Sequence, residues 1–135
     1  MPARNRFVPV SQWRDPRHRR GIRGELAALA YLTACGWSIE AHRFRLGRHD
    51  VDLVARRAGI VAFVEVKSRG AGSAWCGSPV EAVGPRKRAI LARVAACWLA
   101  RHGRRGEMGR FDVVSVEEGL GGTVVVGHIV DAWRI

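Results

Sequence analysis

A chain of 135 residues with 47% hydrophobic content is long enough to bury a core as one domain, without staples of disulfide or metal. Its formal net charge of +11 and sequence pI of about 11.4 imply a polyanionic partner, nucleic acid foremost; the arginine-heavy usage of a GC-rich genome is the alternative source of the charge, but the arginines cluster. Cys35, Cys76 and Cys97 are widely spaced with no CxxC pair, which excludes a disulfide framework and a zinc ribbon and favours a reducing compartment.

The N-terminus has no apolar segment of signal-peptide length, and the longest uncharged stretch, Leu26 to Ile39, is short of the roughly 20 residues a membrane span needs. A soluble cytoplasmic protein is expected. Residues 1–20 carry Arg4, Arg6, Arg14, Arg17, Arg19 and Arg20 beside Pro2, Pro9 and Pro16 with little apolar periodicity. They read as a flexible basic arm ahead of a single domain spanning 21–135. From Ile22 the spacing predicts a helix with Ile22, Leu26, Leu29, Ala30 and Thr33 on one face, stopped by Gly36. Glu25 falls in its first turn, where a carboxylate complements the helix dipole.

Trp37 to Phe44 alternates as a strand, and His42, Arg43, Arg45 and Arg48 load its end with positive charge. Asp50 to Arg56 predicts a second strand, with Val51, Leu53 and Ala55 on one face and Asp50, Asp52 and Val54 on the other. The turn through Ala58 and Gly59 is short, so a third strand from Ile60 to Ser68 must be its antiparallel neighbour. A glycine-rich loop holds Ser73, Trp75 and Ser78; Pro85 then opens a helix that runs to His102 with Ile90, Leu91, Val94, Ala95 and Trp98 facing the core. Two further strands are expected, Phe111 to Val116 and Thr123 to Val130. The order predicts an α/β domain built on one mixed five-stranded sheet flanked by helices.

The chain has two lysines against 21 arginines, and one of the two, Lys67, sits two residues after Glu65 within an apolar strand. Residues i and i+2 of a strand share a face, and burying a carboxylate and an ammonium is costly unless they pair or hold a metal. Two explanations stay open: a structural ion pair in a sheet, or half of an active site completed by an acid on the preceding strand. The hairpin spacing places Asp52 across from position 65 or 66. Adjacent carboxylates repel and retain protons unless a cation separates them. Magnesium favours hard oxygen ligands, and Asp52, Glu65 and the carbonyl of Val66 would supply them. Lys67 could then orient a water or neutralise charge building on phosphorus. A metal pocket within a basic surface is what phosphodiester hydrolysis requires. A zinc site lacks ligand spacing, no loop resembles a P-loop, and neither Ser73 nor Ser78 has triad partners.

Gly24-Glu25, Ala28, Ala30-Tyr31-Leu32, Gly36, Asp50-Val51-Asp52-Leu53-Val54, Phe63-Val64-Glu65-Val66-Lys67-Ser68-Arg69, a helix carrying Lys87, Arg110-Phe111-Asp112-Val113-Val114, His128-Ile129 and Asp131-Ala132-Trp133 follow one another in order. This series, over residues 21 to 133, resembles the YraN-like family of predicted endonucleases, itself similar to the restriction-endonuclease-like PD-(D/E)xK nucleases. The resemblance implies a restriction-endonuclease-like core and a magnesium- or manganese-dependent endonuclease acting on DNA, with selectivity for branched or damaged structures. It implies Asp52 and Glu65 as metal-binding acids, Lys67 as the catalytic lysine, and Glu25 as a helix acid reaching the metal through water. It also implies Lys87 as a phosphate contact. Arg20, Arg23, Arg43, Arg45 and Arg69 complete the expected nucleic-acid surface. Cleavage of a junction would further favour a homodimer, since two symmetric cuts need two sites. Two positions depart from the family pattern: His49-Asp50 replaces Gly-Glu, and Arg43 stands where Asn is common. The alternative is a catalytically idle nucleic-acid-binding or assembly module on the same fold.

Overall fold

The computed structural model describes residues 16–70 and 78–134, with side chains from residue 21 onward, Leu120 excepted. Most of the expected basic arm, with the side chain of Arg20, and the loop carrying Ser73, Trp75 and Cys76 lie outside the described residues. The chain forms α1 (Pro16–Ala34), β1 (Ser38–Leu46), β2 (His49–Arg57), β3 (Ile60–Arg69), α2 (Pro85–His102), β4 (Met108–Glu118) and β5 (Val124–Trp133). The five strands make one sheet in the order β1-β2-β3-β4-β5. The first three are an antiparallel meander, α2 carries the chain across to β4, which runs parallel to β3, and β5 returns antiparallel to β4. This is the mixed α/β architecture expected from the sequence.

The meander is fixed by local chemistry. Arg57 pairs with Ile60 across the two residues Ala58 and Gly59, both at positive φ (50° and 79°), as a two-residue hairpin turn of the I′ kind requires. The sheet is buried on both sides because its strands supply apolar residues to both. On β3, Val61 and Phe63 pack towards α2 with Leu91, Val94 and Trp98, while Ala62 and Val64 pack towards α1 with Ala28 and Leu32. No described helix is long and apolar enough to cross a membrane.

Three local expectations change. α1 begins at Pro16, where proline suits the first helical turn, so Glu25 lies in mid-helix and its first-turn capping role falls away. The buried face of α1 runs through Ile22, Glu25, Ala28 and Leu32, whereas Ala30 and Thr33 point to solvent. Apolarity alone located the wrong stripe because the true one includes a carboxylate. Finally, Val51 packs on the α2 side with Val54, while Leu53 and Ala55 pack on the α1 side. The strict alternation expected for β2 breaks at Asp52. The partner strand breaks opposite it: Phe44 pairs with Val51, His42 pairs with Leu53, and Arg43 between them has a left-handed φ of 55° that interrupts the pleat.

Candidate metal and nucleic-acid site

The break at Asp52 opens the sheet. Pairing of β2 with β3 runs from Arg57↔Ile60 to Leu53↔Val64 and stops there, one step short of placing Asp52 opposite Glu65. Beyond that point a side chain takes over from the ladder, and the Val66 N–H donates to Asp52 Oδ2 at 2.8 Å. Burial pushes the Asp52 pKa well above the usual carboxylate range, the negative charges of Glu65 and Glu25 push it further, and the Val66 N–H opposes them in part. Asp50, on the same strand, adds to the repulsion.

Glu65 is 4% exposed, on the face of β3 that looks towards α2, and its Oε1 is buried with no hydrogen-bond partner. Its pKa is raised by burial, while the ammonium groups of Lys87 and Lys67 pull the other way. Lys87 thus reaches the site from α2 and Lys67 from β3 itself. The donor set is oxygen-rich and hard: two carboxylates that resist losing their protons, one of which, Glu65, keeps a buried oxygen with no hydrogen-bond partner. It fits a divalent cation of the magnesium type better than a softer metal. No three His, Cys, Asp or Glu side chains among the described residues gather into a ready cage, so such a cation would depend on backbone oxygen, water or substrate for its remaining ligands.

Glu25 approaches from α1 because Gly24 allows it. A Cβ on Gly24 would lie 2.7 Å from Ser68 Oγ and 2.8 Å from Ser68 Cβ, so the helix rests directly on the end of β3 beside Val66. The Glu25 carboxylate is 5% exposed and already engaged: Oε2 lies 2.7 Å from His42 Nε2 and accepts from Arg43 Nε at 2.9 Å. Burial works to raise its pKa, but these two hydrogen bonds together with the electrostatic attraction of the same side chains outweigh burial and hold it below the ordinary value. Glu25 is therefore the anchored anion of the site, in contrast to Asp52 and Glu65.

Residues 24–116 match the family described as Uncharacterised protein family UPF0102, well over half of the chain. The chain belongs to the UPF0102 family. Its UPF0102 relatives include STH1475 of Symbiobacterium thermophilum, 45% identical over 104 residues, covering 77% of this chain and 86% of that protein. They also include gll3754 of Gloeobacter violaceus, 39% identical over 122 residues (89% and 96%), and amb4503 of Paramagnetospirillum magneticum, 39% identical over 133 residues (95% and 97%). The matched UPF0102 segment begins at Gly24, the helix–strand contact, and includes Glu25, Asp52, Glu65, Lys67 and Lys87.

The remaining predicted residues divide. Arg43 is brought to the site, but as the partner of Glu25. Arg69 pairs with Glu117 at 2.6 Å and Arg23 with Glu118 at 3.7 Å, both on the β4 side of the same strand end. Arg45 is exposed on β1. Sequence reasoning missed a second polar cluster in this UPF0102 chain. Asp112, fully buried on β4, accepts from Arg110 Nε and Nη2 at 2.9 Å and from the Asp131 N–H at 3.0 Å, and lies 2.8 Å from His128 Nε2. His128 Nδ1 in turn meets the Tyr31 hydroxyl at 3.2 Å, tying β4, β5 and α1 together. The signal was present: an acid within an apolar strand, Phe111-Asp112-Val113-Val114, is the same anomaly that singled out Glu65 and Lys67.

Proposed function

We propose that this chain is a divalent-cation-dependent nuclease that hydrolyses phosphodiester bonds in DNA. The observation that carries the reading is the juxtaposition of Asp52 and Glu65 at the end of the β2–β3 ladder, both holding protons abnormally tightly, with Lys67 on the same strand. Asp52, Glu65 and the carbonyl of Val66 would hold Mg2+ or Mn2+. A bound cation would polarise the scissile phosphate and favour hydroxide formation from water. Lys67, two residues from Glu65 on one strand face, would orient the attacking water or balance the charge that develops on the phosphate oxygens. Lys87 would contact phosphate from α2. Glu25, locked by His42 and Arg43, would orient water at the edge of the site. The net charge of +11 supports a polyanionic substrate.

The second reading is a module that binds nucleic acid without cutting it. It draws on the engagement of Glu25 with His42 and Arg43, which leaves that carboxylate less available. One experiment separates the two: the pure protein is incubated with linear, nicked and four-way-junction DNA, with Mg2+ or Mn2+ and with chelator, beside Asp52→Ala and Lys67→Ala. Metal-dependent cleavage lost in both variants supports the nuclease. Binding without cleavage on every substrate favours the idle module. Cleavage that persists in both variants places the activity elsewhere or in a contaminant.

A further inference from the structure

The hairpin end of the sheet, opposite the end that carries Glu65 and Lys67, holds a cavity of about 340 Å³ on the α1 side. Its lining includes Tyr31, Cys35, Trp37, Arg57, Arg110 and His128. Two guanidinium groups converge there on one aromatic ring: Arg57 Cζ is 5.6 Å and Arg110 Cζ 5.4 Å from the centre of Trp37, which is itself 8% exposed. Arg110 is balanced by the buried carboxylate of Asp112. Arg57 is not: it is exposed, and its one polar contact among the described residues is a donation to the Cys35 carbonyl at 2.8 Å. The Trp37 face thus holds a guanidinium that no carboxylate among the described residues balances, beside the hydroxyl of Tyr31 and the imidazole of His128.

We infer that this cavity is a phosphate-binding site separate from the proposed metal site. Arg57 gives one N–H to the Cys35 carbonyl, the other donors of its guanidinium match phosphate geometry, and stacking on Trp37 reduces the ordering needed to bind it. The volume is that of a small-ligand pocket and admits a phosphate with its sugar. Arg57 ends β2 while Asp52 lies earlier on the same strand, so the two sites are about 16 Å apart along the chain. The cavity opens on the α1 side and Glu65 on the α2 side, so a polynucleotide held at Asp52 and Glu65 would have to pass round the sheet to bring a further phosphate to Arg57; this source of the phosphate rests on the function proposed above. A free nucleotide is the other source, and it does not.

The test uses the full chain in chelator, so that cleavage plays no part and failure of the nuclease reading leaves it intact. Binding of a fluorescent DNA 20-mer is followed by anisotropy across 50 to 200 mM salt, and binding of adenosine 5′-monophosphate by calorimetry, for wild type, Arg57→Gln and Arg57→Lys. If the phosphate belongs to DNA, Arg57→Gln weakens binding about 3- to 10-fold and lowers the log–log salt slope by about 0.9, one phosphate contact. Arg57→Lys then keeps the slope and loses affinity, because the charge remains and the fork is gone; it also serves as the readout should the glutamine variant fail to fold. If the phosphate belongs to a nucleotide, DNA binding is unchanged and the monophosphate binds wild type but not Arg57→Gln. Unaltered DNA affinity and slope together with no monophosphate binding would overturn the site.

Discussion

The backbone N–H of Val66 donates to the carboxylate of Asp52 at 2.8 Å, across the point where the β2–β3 ladder ends at Leu53 and Val64. One acid thereby serves two purposes, completing the pairing of β3 and standing beside Glu65. That double duty makes its charge costly to the folded protein.

The first prediction follows from the sign of that cost. The folded pKa of Asp52 lies well above its unfolded value of 3.8, so the folded state holds the extra proton and loses stability as pH rises through the folded pKa. Without metal, Asp52→Asn should therefore be at least as stable as wild type at pH 8, with the advantage vanishing below the unfolded pKa. Thermal melts against pH in chelator measure it. Addition of Mg2+ at pH 8 should raise the Tm of wild type and not of Asp52→Asn; equal shifts in both would remove Asp52 from the metal site.

Lys67→Ala should lower cleavage by about 100-fold or more, the loss typical of removing a group that stabilises developing charge. DNA affinity in chelator should change far less, since one lysine among many cations is removed. A proportionate fall in binding and cleavage would instead make Lys67 a phosphate contact.

Gly24→Ala drives a methyl group into Ser68, 2.7 Å from its Oγ and 2.8 Å from its Cβ. The cost should be about 1–3 kcal/mol in urea unfolding, the range for overpacking. Cleavage should fall as well, because α1 and Glu25 are displaced from the end of β3. Ser68→Gly in the same chain should recover most of the stability; a double variant no better than Gly24→Ala would mean that Ser68 is not the obstacle.

Asp112→Asn breaks a fully buried cluster with Arg110 and His128, at a cost of about 3–5 kcal/mol, the scale for unpairing a buried charge. Although burial pushes the Asp112 pKa up, the bonds from His128, Arg110 and the Asp131 N–H hold it below 3.8. Its contribution is thus present above the unfolded pKa and lost as pH falls through the folded one. Urea midpoints of wild type and variant should converge only in strong acid. Convergence well above the unfolded pKa of Asp112 would mean that its charge is not what the cluster stabilises.

Much of this arrangement was legible in the sequence. The short turn at Ala58 and Gly59 set the antiparallel register, which in turn brought Asp52 to the level of Glu65. The lysine in an apolar strand marked the site because buried charge demands a partner. Glu25 was harder to read: its role depends on α1 beginning at Pro16 and resting on β3 through Gly24, a tertiary contact with no local signature. The pleat reversal at Arg43 was hidden for a related reason, since a left-handed arginine is uncommon and nothing in its side chain announces it.

The two-residue turn between β2 and β3 also bears on the order of folding. Asp52 and Glu65 belong to one hairpin, a local contact of the kind that forms in microseconds, whereas β3 meets β4 only after the chain has closed a loop through α2. On that order the two acids would meet while still bathed in solvent, where their repulsion is weak. The full electrostatic penalty would arise late, on burial beneath the helices, and a cation captured at that stage would favour the last step of collapse.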